Sequence, residues 1–238
     1  MSAEQEVAVV ASNESTTDKP AREYGFSVLV TGLARLGRQP LGFLTVIVLN
    51  AVVQMLLLMW TPVISGSATF WVSAGLSLVS LLLCFGWICR LALASVDGKI
   101  GLGELFKGTP RGLALFLAWV ALELIVVFVL ASLWFWPGLI AMLLMPFVAI
   151  AATDGKHNAI GANFAAIRQR PGRYVITVVF WIIIMTVSWL LLLLGSITLP
   201  PVALGLLGWL FKGLIGAWLT CAFAVLYRST SVGSAPRS

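Results

Sequence analysis

Polar positions punctuate this chain at wide intervals. Between them stand six apolar runs: Leu41–Trp60, Phe70–Ala94, Leu113–Phe135, Pro137–Thr153, Val175–Leu194 and Val202–Tyr227. An α-helix needs about 20 such residues to cross a bilayer, so the pattern predicts an all-α, polytopic transmembrane helix bundle of six spans. Short breaks join the spans in pairs: Thr61–Thr69 with Pro62 and Gly66, the Trp134-Phe135-Trp136-Pro137-Gly138 corner, and Gly195 to Pro201. Proline removes a backbone donor and clashes with the preceding turn, so these breaks read as the turns of three helical hairpins. The fourth span is the shortest and carries Pro146; a kink or irregular stretch is expected there.

The longer connectors share a design. Tyr24–Arg38 sets Phe26, Val28, Leu29, Leu33 and Leu36 against Arg35 and Arg38, and Pro40 follows. Ile100–Lys107 offers Leu102, Leu105 and Phe106 before Pro110, and Ile160–Arg170 offers Phe164 and Ile167 before Pro171. Each reads as a short amphipathic helix suited to the headgroup plane. The chain then resembles three copies of one unit: interfacial helix, outward span, turn, inward span. Two inward spans close on the same tripeptide, Asp97-Gly98-Lys99 and Asp154-Gly155-Lys156, read as helix stops with a snorkelling lysine.

Composition agrees with the pattern. Of 238 residues, 60% are hydrophobic and 10% charged, against roughly 25% charged in a soluble domain. That excludes an ordinary soluble enzyme, a disordered protein and a secreted disulfide scaffold. The net charge of +6 would suggest nucleic acid if the charges were not so placed. Of the 15 lysines and arginines, all but Lys212 lie on the side opposite the hairpin turns. This positive-inside bias puts both termini in the cytoplasm, sets Trp60, Trp71, Trp134 and Trp136 at the outer interface, and argues against a nucleic-acid partner. Residues 1–22 and 229–238 read as disordered cytoplasmic tails flanking a membrane domain over 23–228, and the first of them lacks the features of a signal peptide.

Two charges fall at mid-membrane depth: Glu123 in the third span and Lys212 in the sixth. An isolated charge there costs on the order of 3 kcal/mol, so each should find protein or water. Their similar depth makes them candidate partners, as an ion pair or as a proton or substrate relay. Gly205, Gly208, Gly216 and Thr220 share one helical face with Lys212, a predicted helix-packing surface. Asn50 and Gln54, one turn apart, read as intramembrane polar glue, and Ser73, Ser77 and Ser80 as a close-packed stripe. Lys156, His157, Arg168, Arg170 and Arg173 form the densest basic cluster, suited to anionic lipid headgroups or a protein partner. Cys84, Cys89 and Cys221 lie within or beside apolar runs as packing residues, and with a single histidine no metal site or cofactor is expected. No catalytic motif is present.

Three segments carry a family resemblance: Gly32-Leu33-Ala34-Arg35-Leu36-Gly37-Arg38-Gln39-Pro40-Leu41, Val96–Phe106, and Asn158–Phe164 followed by Arg168-Gln169-Arg170-Pro171. They resemble a broad set of bacterial six-span inner-membrane proteins, similar in layout to the YciC-type proteins and to the membrane domain fused to some glycerophosphodiester phosphodiesterases. The resemblance covers roughly residues 24–227 and implies a bacterial inner-membrane location. The phosphodiesterase domain is absent, so no activity comes with it. Three functions are compatible with the sequence. First is a non-enzymatic scaffold or accessory protein with a basic cytoplasmic face. Second is a small transporter or channel-like protein with a polar path around Glu123 and Lys212. Third is a membrane enzyme acting on lipid.

Overall fold

The computed structural model describes residues 25–60, 67–99, 101, 103 and 110–231. Most of the first hairpin turn, nearly all of the Ile100–Lys107 stretch, and the N-terminal tail lie outside the described residues. Among those described, regular structure is all helical: α1 Gly25–Arg38, α2 Pro40–Trp60, α3 Ala68–Val96, α4 Pro110–Leu133, α5 Phe135–Leu144, α6 Val148–Thr153, α7 Ala159–Gln169, α8 Pro171–Gly195 and α9 Pro201–Ser231. Proline opens α2, α4, α8 and α9, the position where its missing N–H has no helical partner to lose.

Five helices, α2, α3, α4, α8 and α9, are long and apolar enough to cross a membrane. The fourth expected span does not form one helix. It is divided into α5 and α6 by Met145-Pro146-Phe147, because Pro146 cannot donate to the turn before it. The packing leaves much apolar surface outside. Only 11% of the most apolar stretch of α4 and 17% of that of α8 is buried. Such faces are stable against hydrocarbon rather than water, so the chain is a multi-pass integral membrane protein.

The hub is α9, which packs on α1, α2, α3 and α8. Its closest approach is to α1, where a Cβ at Gly32 would stand 2.7 Å from the backbone N of Ala222. The Trp218 indole N–H donates to the Leu29 carbonyl at 2.9 Å at the same crossing. Thus α1 buries Val28, Leu29 and Leu36 in protein and leaves Phe26, Val30 and Leu33 exposed. The expected interfacial helix is docked on the bundle, because its apolar stripe is wide enough to split between protein and surroundings. The protein-facing side of α7 is Ala159, Asn163 and Ala166, while Phe164 is exposed. At the other end, α9 continues through Ser231, three residues into the expected C-terminal tail, with the Ser229 and Thr230 hydroxyls bonded to carbonyls one turn back.

Finally, α4 packs chiefly on α5 and α6 and only lightly on α3. Gly138 permits the fold-back, since its Cβ would lie 2.8 Å from the backbone of Ala131.

Candidate functional site

The two Asp-Gly-Lys tripeptides end α3 and α6 in one geometry. Gly98 and Gly155 adopt φ of 75° and 80°, which glycine reaches without a Cβ penalty. The following lysine N–H then returns to the carbonyl five residues earlier, Lys99 to Ala94 at 2.8 Å and Lys156 to Ala151 at 3.0 Å. This Schellman closure satisfies helix-end carbonyls and leaves each aspartate side chain free to act elsewhere. Both act on the same residue. Arg228 Nη2 lies 2.9 Å from Asp97 and 2.8 Å from Asp154, and the Tyr227 hydroxyl donates to Asp154 at 3.3 Å. One guanidinium on α9 therefore clasps the ends of α3 and α6. Nearby, Arg35 donates to the Ser95 carbonyl at 3.2 Å and Gln39 to that of Lys99, tying α1 to the end of α3.

The broken fourth segment is mended by side chains. The Asn163 amide donates to the Leu144 carbonyl at 2.8 Å and accepts from the Phe147 N–H at 3.0 Å, while the Tyr174 hydroxyl donates to the Leu143 carbonyl. In an apolar medium each freed backbone group would otherwise cost several kcal/mol. Asn163 is fully buried for this purpose.

Glu123 and Lys212 are brought near one region but not together. Glu123 lines a cavity of about 350 Å³ bounded by α3, α4, α5, α6, α8 and α9. Lys212 lines a second cavity of about 230 Å³, between α2, α3 and α9, which also holds Asn50. Phe85, Gly216 and Thr220 border both, so the cavities adjoin. The Lys212 ammonium sits over the Trp189 ring, 3.7 Å from its centroid, a cation–π contact. Among the described residues no ion pair joins Glu123 to Lys212. The expected direct pair is thus corrected. Equal depth did not give contact, because α4 packs on α5 and α6 rather than on α9.

Other expected residues fall as follows. Gln54 is buried and exchanges hydrogen bonds with Ser77 of α3, accepting from its hydroxyl at 2.6 Å and donating to its carbonyl at 3.2 Å, while its contact to Asn50 is a long 3.4 Å. The α9 glycine face is not one contact surface. Gly205 meets Met55 of α2, Gly208 meets Leu192 of α8, and a Cβ at Gly216 would meet nothing within 4 Å. The tight approach is at Gly213, outside that face, where a Cβ would lie 2.7 Å from Ile47. Thr220 donates back to the Gly216 carbonyl at 2.7 Å. The basic cluster is split: exposed Lys156 and His157 precede α7, whereas exposed Arg168 and half-buried Arg170 close it and half-buried Arg173 lies in the first turn of α8, about 16 Å away along the helix. Cys84, Cys89 and Cys221 are buried free thiols.

The sequence reading missed Arg228, Asn163 and Tyr174 as organising residues. The repeated Asp-Gly-Lys was the available signal for the first; no local signal in the sequence pointed to the other two. Comparison with protein-family models, with curated proteins and with solved structures finds no match to this chain.

Proposed function

We propose that this membrane protein binds a small lipid-soluble molecule inside its helix bundle and acts as a small transporter or carrier, with Glu123 and Lys212 on the two sides of the path. The observation that carries this is the pair of adjoining cavities meeting at Phe85, Gly216 and Thr220, each holding one membrane-depth charge. A scaffold would favour a dry, tightly packed contact between these charges. Buried charges are retained where they mark a substrate or ion pathway, and a cavity near 350 Å³ matches the range in which small ligands are held, about 300–1,000 Å³. Gly216 keeps the junction open, so Gly216→Leu fills it without a clash at Cβ.

The test is native mass spectrometry of the full chain, purified in mild detergent and in nanodiscs. Wild-type protein should carry small molecules that Gly216→Leu lacks, with thermal unfolding unchanged or raised. An identical profile for the two proteins counts against the reading.

A second reading, the scaffold or accessory role, is favoured by the exposed Lys156, His157 and Arg168. Basic side chains beside a membrane attract anionic lipid by about 1 kcal/mol each, and a protein partner would use the same surface. On this reading the chain is non-enzymatic. Its place, as the YciC-type likeness implies, is the bacterial inner membrane, and the lysine and arginine distribution puts both termini inside.

A further inference from the structure

We infer that the Glu123 cavity is a binding site for an amphipathic monovalent cation, a hydrophobic amine or onium compound. The inference rests on the ligand-binding reading above and adds the chemical class. Glu123 is the sole ionisable side chain among the residues lining the cavity. Among the described residues no hydrogen bond or ion pair reaches its carboxyl. Of the other polar side chains there, Thr220 donates its hydroxyl to the Gly216 carbonyl and Trp181 carries an indole N–H but no charge. Lys212, the cation that lines the adjoining cavity, stands on the Trp189 ring instead.

A lone carboxylate in an apolar enclosure is costly unless a cation meets it, so the site is complementary to one positive charge. The rest of the wall suits the apolar body of such a ligand. Phe85, Trp181 and Phe223 present aromatic rings, which attract cations through their faces. Met142, Met145 and Met185 supply soft, adaptable surface that moulds to ligands of varied shape. An anion would meet the carboxyl unfavourably, and a strongly hydrated metal ion would find one carboxylate where several oxygen ligands are needed.

The experiment uses the full chain in nanodiscs and two probes of one shape and opposite charge, tetraphenylphosphonium and tetraphenylborate, in equilibrium dialysis. The phosphonium should bind and the borate should not. Glu123→Gln should weaken phosphonium binding by about tenfold or more, because the neutral amide removes the charge complement, and Glu123→Asp should restore most of it. If both ions bind alike and Glu123→Gln changes neither, the cavity holds lipid-soluble molecules without regard to charge; the inference is then overturned and the ligand-binding reading stands. If the phosphonium fails to bind wild-type protein, the inference is overturned, and the reading falls with it if Gly216→Leu also leaves the co-purifying molecules unchanged. Should Glu123→Gln not fold, dicyclohexylcarbodiimide asks the same question of unaltered protein. It adds to a protonated carboxyl in apolar surroundings to leave an N-acylurea. Phosphonium should protect Glu123 from this labelling, read by peptide mass spectrometry, and undiminished labelling overturns the inference.

Discussion

Single side chains hold the weakest joints of this bundle. Asn163 is the clearest case: one buried amide serves both the Leu144 carbonyl and the Phe147 N–H across the break at Pro146. Asn163→Leu keeps the branched shape with slightly more bulk and removes both bonds, leaving two backbone groups without partners. Each such group costs about 1–3 kcal/mol, so the variant should lose about 2–6 kcal/mol and unfold at markedly lower temperature. Asn163→Asp should be milder, since a neutral carboxyl still accepts from the Phe147 N–H and can donate to the Leu144 carbonyl. A Leu variant as stable as wild type would show that the break is satisfied in another way. In the sequence Asn163 stood within a quoted motif but carried no role, because nothing in a local pattern says that a side chain in one helix will reach a gap sixteen residues earlier.

Among elements, the three helix ends at Asp97, Asp154 and Arg228 form the most informative junction. Helices α3 and α6 stop by the same glycine-based turn and offer a carboxylate each, while α9 supplies the one guanidinium. The junction gives the repeated tripeptide a purpose beyond stopping a helix. Charge-assisted hydrogen bonds contribute about 1.5–3 kcal/mol, reduced here by partial exposure of the Arg228 side chain, 26%. Arg228→Gln should therefore destabilise by about 1–3 kcal/mol. Arg228→Lys should recover only part, because a lysine cannot present the planar fork. Hydrogen exchange should rise first at the ends of α3 and α6; protection unchanged in both variants would mean that the clasp adds nothing. The element boundaries were mostly legible, since apolar runs and prolines set them locally. The exceptions were the α5–α6 break, read as a kinked span, and the final turns of α9, whose polar residues looked like a tail yet return their hydroxyls to the helix.

On the scale of the whole molecule, the arrangement turns on α9 at the centre and α4 at the margin, joined to the rest through α5 and α6. That placement separates Glu123 from Lys212 and opens the cavities between them. It yields a direct prediction: in a double-mutant cycle, Glu123→Gln and Lys212→Met should couple by less than about 1 kcal/mol, as for residues that share cavity walls but no hydrogen bond or ion pair. A coupling above about 1 kcal/mol, measured by thermal or denaturant unfolding, would mean that the two charges meet after all. The sequence by itself determined the class of protein, the positions of most helices and the two intramembrane charges worth watching, because span length, proline and charge spacing act over a few turns of chain. Which helices touch, which side chain mends the break, where Arg228 finds its carboxylates and why Glu123 faces a cavity were decided by tertiary structure alone. The physical reason is that in an apolar surround every helix face is similarly greasy, so pairing follows from close approach at Gly32, Gly138 and Gly213 and from scarce polar contacts, none of which a hydrophobic pattern encodes.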